Sequence, residues 1–184
     1  MTLAHALLGL INYRPSTGYQ LKDSFEHSIN FFWSATLPQI YRTLNQMENE
    51  GWLQAEIETQ IGKPNRKVYY ITEKGHKEFL RWLNSPMEHI ELKNPALIKI
   101  FFANKGDPEK IAANLQEMRS YYEVLMHMYE IECAEIIKNA VKEPGADKEG
   151  MYWELTRDFG VRWTKMMVEW CDEALRMHKS KLIK

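Results

Sequence analysis

Five polar side chains able to form directed hydrogen bonds recur along residues 34–53 and fall on one side of a helix. Starting from the apolar Ile40 and advancing 100° per residue places Arg42 near the opposite side, with four amides around it. Arginine can read guanine with two parallel hydrogen bonds, and asparagine or glutamine can read adenine. The face therefore offers either base-edge recognition or only a solvated helix surface. Its members are Gln39, Arg42, Asn45, Gln46 and Asn49.

A helix with marked ends is predicted to carry this face. Its apolar stripe repeats at intervals of three and four residues, which is the period of an amphipathic helix. Thr36 and Gln39 have the spacing of a capping box, and Ser34 is the alternative cap. Pro38 suits the first turn, and Gly51 supplies the stop. The stripe consists of Leu37, Ile40, Leu44 and Met47.

The segments around this helix define a recognisable order. Residues 3–13 and 19–27 have helical periodicity, and "RPSTG" separates them. Residues 53–57 alternate apolar and polar side chains, "IGKPNRK" has the composition of a hairpin loop, and "VYYIT" favours a return strand. Thr72 then caps a further helix. Three helices followed by a two-stranded wing and a helix predict a winged helix-turn-helix domain, whose third helix enters the major groove.

The wing carries a local excess of positive charge. The 184-residue chain has a formal net charge of -1, whereas residues 63–81 contain six basic and two acidic side chains. Lys63, Arg66 and Lys67 lie at the hairpin, where cations can neutralise phosphates and fix the register of a protein on a duplex. Composition as a whole gives no reason to expect nucleic-acid binding; this cluster gives a weak one.

The C-terminal half is predicted to be helical and to form a dimer. Domain boundaries are placed at residues 1–85, 86–94 for a polar linker, and 95–184. A short helix at 95–104 precedes two long ones at 111–141 and 152–177, with Asp107 as a cap. The last helix has a heptad-like apolar seam that a single helical hairpin cannot bury. Its dimerisation residues are Tyr152, Leu155, Phe159, Trp163, Met166 and Trp170.

The N-terminal half resembles the PadR family of transcriptional regulators. The resemblance rests on "LAHALLGLI", the Gly18–Tyr19 pair, "QIYRTLNQMENEGWL" and "KVYYITEKG", and it covers about residues 3–83 nearly without gaps. The rest is similar in architecture and linker to the long C-terminal domain of the larger PadR subfamily. The expected fold is mainly α with a small β-wing: a winged helix-turn-helix domain followed by a helical dimerisation domain.

The resemblance implies a homodimeric regulator, usually a repressor, that binds a palindromic operator in double-stranded DNA. By position, Gln39 and Tyr41 match family residues that touch DNA, and Tyr19 matches a residue expected at a phosphate. Tyr41 lies at the rim of the buried stripe, so it can instead pack against the second helix and present only its hydroxyl. The candidate DNA contacts are Tyr19, Ser34, Thr36, Gln39, Tyr41, Arg42, Asn45, Lys63, Arg66 and Lys67.

Some family members release DNA when they bind a small aromatic molecule such as a phenolic acid. Trp33, Trp153 and Met167 are candidate effector-binding residues, proposed to lie between the two halves, although the dimer core is the alternative role for such side chains. The paired-tryptophan drug site of the smaller PadR proteins is not expected here. Cys133 and Cys171 are expected to be buried as small apolar residues.

The remaining patterns favour a cytoplasmic DNA-binding protein. The N-terminus lacks a signal peptide, and no apolar run approaches the length of a membrane helix. No spacing of histidine, cysteine or carboxylate residues indicates a metal site, and no catalytic or cofactor-binding motif is present. We therefore expect no enzyme activity, no metal and no cofactor. A non-enzymatic winged-helix module that binds proteins is the alternative function.

Overall fold

The protein consists of two compact units, residues 1–89 and 90–184. The structure is a computed structural model that describes residues 2–59, 65–87, 93–142 and 147–182. Helices form most of both units, and a small antiparallel sheet lies in the first. The predicted fold class, mainly α with a β-wing, is confirmed.

The N-terminal unit has the element order expected from its sequence, with one additional strand. A short 3-10 turn at Ile29–Phe31 follows the second helix. The helices and strands are α1 (Thr2–Tyr13), β1 (Ser16–Thr17), α2 (Gly18–Glu26), α3 (Leu37–Asn49), β2 (Leu53–Glu58), β3 (Arg66–Ile71) and α4 (Glu73–Leu83).

The wing belongs to a three-stranded sheet in the order β1-β3-β2. Tyr69, at the centre of β3, is opposite Ser16 on one side and Ala55 on the other. The sequence predicted only two strands and assigned Ser16 and Thr17 to a break between helices. A two-residue strand is too short to show an alternating pattern, so only its long-range pairing with β3 identifies it.

The core of this unit confirms the burial of three members of the predicted apolar stripe of α3, while the fourth, Leu37, is half-buried in the first turn. Ile40, Leu44 and Met47 are at most 1% exposed and pack among side chains from α1 and α2. The helix ends before Gly51, which has φ of 72°, a left-handed conformation that a side chain would disfavour. Because the stripe faces the core, the opposite polar side of α3 faces solvent.

A buried histidine joins α4 to α1. The Nε2 atom of His5 lies 3.0 Å from Glu78 Oε1, and the His5 ring stacks on Trp82 with centroids 4.8 Å apart. Arg81 donates to both oxygens of the same carboxylate, at 2.7 and 2.6 Å. These hydrogen bonds, first from Arg81 and then from His5, lower the pKa of Glu78 to about 2.

Glu78 should therefore make the stability of the fold depend on pH in the acid range. Its pKa in the folded protein lies below its ordinary value of 4.5, so its contribution is present above about pH 4.5 and is lost as the pH falls toward 2. We expect Glu78→Gln to lower the free energy of unfolding by about 1–2 kcal/mol at pH 6, after allowing for solvent screening. Denaturant unfolding of both proteins between pH 6 and 2.5 measures the difference.

The matched control is Glu73→Gln, because Glu73 forms a more exposed pair with Lys77 on the same helix. That substitution should change the unfolding free energy by less than about 0.5 kcal/mol. A gap between wild type and Glu78→Gln that stays constant down to pH 2.5 would contradict the assignment.

The described residues of the C-terminal unit form helices joined by short turns. Two short segments are a 3-10 turn at Ala103–Lys105 and a π-helical turn at Met128–Glu132. The α-helices are α5 (Pro95–Phe101), α6 (Pro108–His127), α7 (Cys133–Ala140) and α8 (Asp147–Leu182).

Two expectations for this unit are corrected. Residues 111–141 were predicted to form one α-helix, but a π-helical turn separates α6 from α7. Such a turn rotates the face that follows it, and here it accompanies a contact between the buried Tyr129 and Gly160 of α8. The second correction is that α8 extends well beyond the predicted 152–177 at both ends. Hydrophobic spacing marks only the part of a helix that has an apolar stripe.

The face of α8 that packs along α6 differs from its predicted seam. Gly160, Thr164, Met167 and Cys171 are buried and follow intervals of three and four residues. This row lies roughly 110° around the helix from the seam.

The predicted burial of Cys171 is confirmed, as is that of Cys133, where desolvation raises the pKa of the thiol to about 11. A thiol in such surroundings is unreactive.

Candidate nucleic-acid interface

The start of α3 is fixed by the predicted capping box. The backbone N–H and hydroxyl of Thr36 donate to Gln39 Oε1 at 2.8 and 3.0 Å, and the Gln39 N–H donates to Thr36 Oγ1 at 3.4 Å. The cap occupies the carbonyl end of the Gln39 side chain and the Thr36 hydroxyl. Of these two candidate DNA contacts, only the amide nitrogen of Gln39 remains to donate to a partner.

The outward face of α3 presents the side chains that the sequence singled out. Arg42, Asn45 and Asn49 are exposed. Gln46 is also exposed, but its amide already donates to Glu50 Oε1 at 2.8 Å. Within the described parts of the chain, no carboxylate forms an ion pair with Arg42. Among the described residues, the Arg42 guanidinium therefore keeps its donors for an external partner.

The contact between α2 and α3 explains why residue 18 is a glycine. A Cβ atom on Gly18 would lie 2.5 Å from Cε1 and 2.7 Å from Cζ of Tyr41, so the tyrosine ring covers the glycine. Tyr41 packs against α2, as one of the two sequence interpretations held. It is still 40% exposed, and the neighbouring Tyr19 is 71% exposed. Both rings therefore lie where α2 begins beside α3, with part of each surface open to solvent.

A depression of about 580 Å³ lies beside the start of α3. Ser34 and Lys22 of α2 line it, and the Lys22 ammonium pairs with Glu26. Lys22 was not among the contacts predicted from the sequence. Its helical spacing gives no sign that the fold brings it next to Ser34, since that proximity depends on how α2 and α3 pack.

Two of the three predicted wing cations, Arg66 and Lys67, form ion pairs within the N-terminal unit. Arg66 Nε donates at 2.6 Å to Oε2 of Glu58, the residue directly opposite it on β2. Lys67 Nζ donates to Glu48 Oε2 of α3, also at 2.6 Å. The hydrogen bond to Glu48 raises the pKa of the Lys67 ammonium. Lys63, the third predicted wing contact, lies outside the described residues.

The rest of the local basic cluster is also engaged. Lys77 pairs with Glu73, Arg81 pairs with Glu78, and Lys74 Nζ donates to the backbone carbonyl of Glu50 at 2.7 Å. A count of charges along the sequence therefore overstates the positive field of the wing.

The candidate effector residues have different environments. In the N-terminal unit Trp33 is 45% exposed. In the C-terminal unit Trp153 is half-buried, and Met167 is 6% exposed within the row of α8 that packs along α6. Met167 therefore belongs to the internal packing of the C-terminal unit.

The described residues hold no cluster of three or more metal-ligating side chains. None of the helices within residues 2–59, 65–87, 93–142 and 147–182 combines the length and apolar character needed to cross a bilayer.

The fold and the polar face of α3 define a winged helix-turn-helix regulator with a helical C-terminal unit. Residues 7–81 match the transcriptional regulator PadR-like family, and residues 92–179 match the virulence activator alpha C-term family. A probable transcriptional regulator of Mycobacterium tuberculosis, Rv1176c, is 32% identical over 184 residues, covering 94% of this chain and 95% of the relative. The chain belongs to the PadR-like family of transcriptional regulators and is not an enzyme.

Other relatives extend the comparison. The negative transcriptional regulator PadR of Bacillus subtilis is 28% identical over 137 residues, covering 67% of this chain and 75% of PadR. Its structure in complex with operator DNA has a TM-score of 0.80 at 22% identity, covering 97% of this chain and 99% of that one. Its complex with p-coumaric acid has a TM-score of 0.74 at 23% identity, covering 96% and 94%. These two likenesses establish the fold.

The Vibrio cholerae virulence activator AphA is a further structural relative. It has a TM-score of 0.77 at 25% identity, covering 97% of this chain and 99% of AphA. The likenesses to PadR and AphA both extend through the C-terminal unit and are not confined to the winged domain.

Proposed function

We propose that this protein is a homodimeric repressor that binds a palindromic operator in chromosomal DNA, in the cytoplasm. The observation that carries the proposal is the outward face of α3, where Arg42 and Asn45 are exposed on a helix whose other side is fixed in the core. A rigid helix with an exposed guanidinium and exposed amides suits base-edge readout in the major groove.

The contacts divide into two kinds. Arg42 and Asn45 read bases, and the Gln39 amide nitrogen adds a donor near the start of the helix. The hydroxyl-bearing side chains around the N-terminal ends of α2 and α3 contact phosphates and so position the helix. At the wing, Arg66 reaches a phosphate by exchanging its Glu58 partner, and Lys63 is a further candidate. The phosphate contacts are Tyr19, Ser34 and Tyr41, whereas the Thr36 hydroxyl stays in the capping box with Gln39.

Dimerisation through α8 is supported by the exposure of its apolar seam. Tyr152, Leu155 and Phe159 are 57–63% exposed, and Trp163 and Met166 are 39% and 44% exposed. The last seam residue, Trp170, is half-buried. Large apolar side chains in such a row mark an interaction surface. A second copy offers the same row, as the self-complementary interface of a two-fold dimer requires.

Repression follows from occupancy of an operator, and the B. subtilis relative is named a negative regulator. The likeness to AphA, named a virulence activator, keeps activation as the alternative outcome of the same binding. The position of the operator relative to the promoter decides between the two.

A small aromatic effector is the finer part of the proposal, supported by the p-coumaric acid complex of PadR. A ligand that prefers one arrangement of the dimer weakens operator binding through its differential affinity for the two arrangements. Of the three candidate residues, Trp33 and Trp153 keep accessible surface, whereas a ligand would have to open internal packing to reach Met167.

We expect p-coumaric acid to quench tryptophan fluorescence and to weaken DNA binding over the same concentration range. Trp153→Phe should reduce the quenching if Trp153 contacts the ligand, and Trp82→Phe serves as the control because Trp82 stacks on His5 in the N-terminal unit. No quenching across a panel of phenolic acids, with DNA affinity unchanged, would remove phenolics as effectors.

Fluorescence anisotropy with the DNA upstream of the protein's own gene, against scrambled DNA at two salt concentrations, tests the core of the proposal. Selective binding that weakens with salt, with a log–log slope of about 0.9 per phosphate neutralised, is expected. The alternative, a winged-helix module that binds proteins, predicts no selectivity at either concentration.

A further inference from the structure

Lys67 lies at a junction between the wing and α3. Its ammonium donates to Glu48 Oε2 at 2.6 Å and lies 5.2 Å from the centroid of the Tyr69 ring. Glu48 is in the C-terminal half of α3, and Lys67 and Tyr69 are two residues apart on β3. Their side chains therefore share one face of the strand.

The ring beneath this ion pair is anchored deep in the domain. Tyr69 is 1% exposed, and it occupies the central strand of the sheet between Ser16 and Ala55. An ammonium over an aromatic ring with a carboxylate partner is held in one place by two attractions. Lys67 is thereby tied to α3 through Glu48 and to the core through Tyr69.

Arg66 provides an internal comparison. Its partner Glu58 is the residue directly opposite it in the same hairpin, so that pair connects β2 to β3 and leaves α3 out. The Lys67–Glu48 pair, in contrast, spans two elements that must meet the same duplex. An ion pair of this kind can set the angle between a recognition helix and its wing.

We infer that Glu48 and Lys67 are positioning residues for DNA recognition: their ion pair holds the wing hairpin against α3, and Lys67 does not neutralise a phosphate. This inference rests on the proposed DNA binding and assigns Lys67 a different role from the one its charge suggests. It also explains why the recognition helix carries an acidic residue, Glu48, at this position.

The test uses Glu48→Gln, Lys67→Met and the double variant in the full-length protein. Their affinities for operator and scrambled DNA are measured over a range of salt concentrations. We expect each single substitution to weaken operator binding by roughly 3- to 10-fold, and the double variant to be no weaker than the worse single one. The salt slope should stay unchanged, because no phosphate contact is lost.

The matched control is Glu56→Gln, which removes a carboxylate from an exposed position on β2. It corrects for the general gain in DNA affinity when negative charge is removed. The inference is overturned if Lys67→Met lowers the salt slope by about 0.9 and weakens scrambled DNA equally, or if Glu48→Gln tightens binding beyond the control.

Thermal unfolding without DNA separates this inference from the proposed function. If the wild type shows no selective DNA binding, the proposed function fails, and the ion pair is then judged by the Tm shifts of the three variants. If the Tm shift of the double variant differs from the sum of the two single shifts, Glu48 and Lys67 interact and the inference is supported. If the shifts add, the inference is overturned.

Discussion

Replacing Leu155 and Phe159 by glutamate is expected to convert the protein to monomers and to weaken operator binding by about 10²- to 10⁴-fold, the range over which linked binding sites gain affinity. Both side chains lie in the exposed seam of α8 and are more than half exposed in the single chain. Carboxylates buried at a two-fold interface would repel the same carboxylates of the second subunit and would lose their hydration, which destabilises the dimer. Each recognition helix would then bind its half-site alone.

Light scattering after gel filtration measures the oligomeric state, and fluorescence anisotropy measures the affinity. Lys165→Glu is the control, because Lys165 is exposed on α8 and lies roughly 120° from the seam and farther still from the face that packs along α6. It should remain a dimer. A Leu155→Glu/Phe159→Glu protein that is still dimeric, or a monomer that binds the operator as tightly as the wild type, would contradict dimerisation through the seam.

Arg42→Ala is expected to weaken operator binding by about 1–3 kcal/mol, roughly 5- to 150-fold, and to relax the preference at one base pair of each half-site. The guanidinium is exposed on α3 and has no ion pair within the described residues, so its loss removes donors only from an external partner. Arg42→Lys keeps the charge but loses the planar fork and should recover only part of the affinity.

Anisotropy with operator variants substituted at each position measures both the affinity and the relaxed preference. Gln46→Ala is the control on the same face, because the Gln46 amide is already engaged by Glu50. Gln46→Ala should weaken operator binding less than Arg42→Ala does. Equal losses on operator and scrambled DNA for Arg42→Ala would show that Arg42 contacts a phosphate and does not read a base.

Local sequence signals predicted the elements that carry the site. The capping box of Thr36 and Gln39, the apolar stripe and the stop at Gly51 are properties of one helix, and each appears in the structure where the spacing placed it. The same holds for Asp107 as the cap of α6. Such signals depend on neighbours within one or two turns, which is why the sequence shows them.

Long-range pairings account for what the sequence could not show. The partners of Lys67 and Arg66, the contact between Tyr41 and Gly18, and the pairing of β1 with β3 all join segments whose meeting depends on packing. The exposed seam of α8 was found by its period, but the separate row through Met167 was not. When a helix has two apolar stripes, their spacings overlap in the sequence, so the periodicity does not show them as two separate rows.

Sequence-specific DNA binding by the dimer is tested by selection from random double-stranded DNA with the full-length protein, followed by sequencing of the bound fraction. We expect enrichment of a palindrome whose half-sites are centred about one helical turn apart, or a multiple of it, as two recognition helices related by a two-fold axis require. Mutation of either half-site should abolish the enrichment. Recovery of DNA with no shared sequence, or of a single unpaired half-site, would contradict a dimeric sequence-specific regulator.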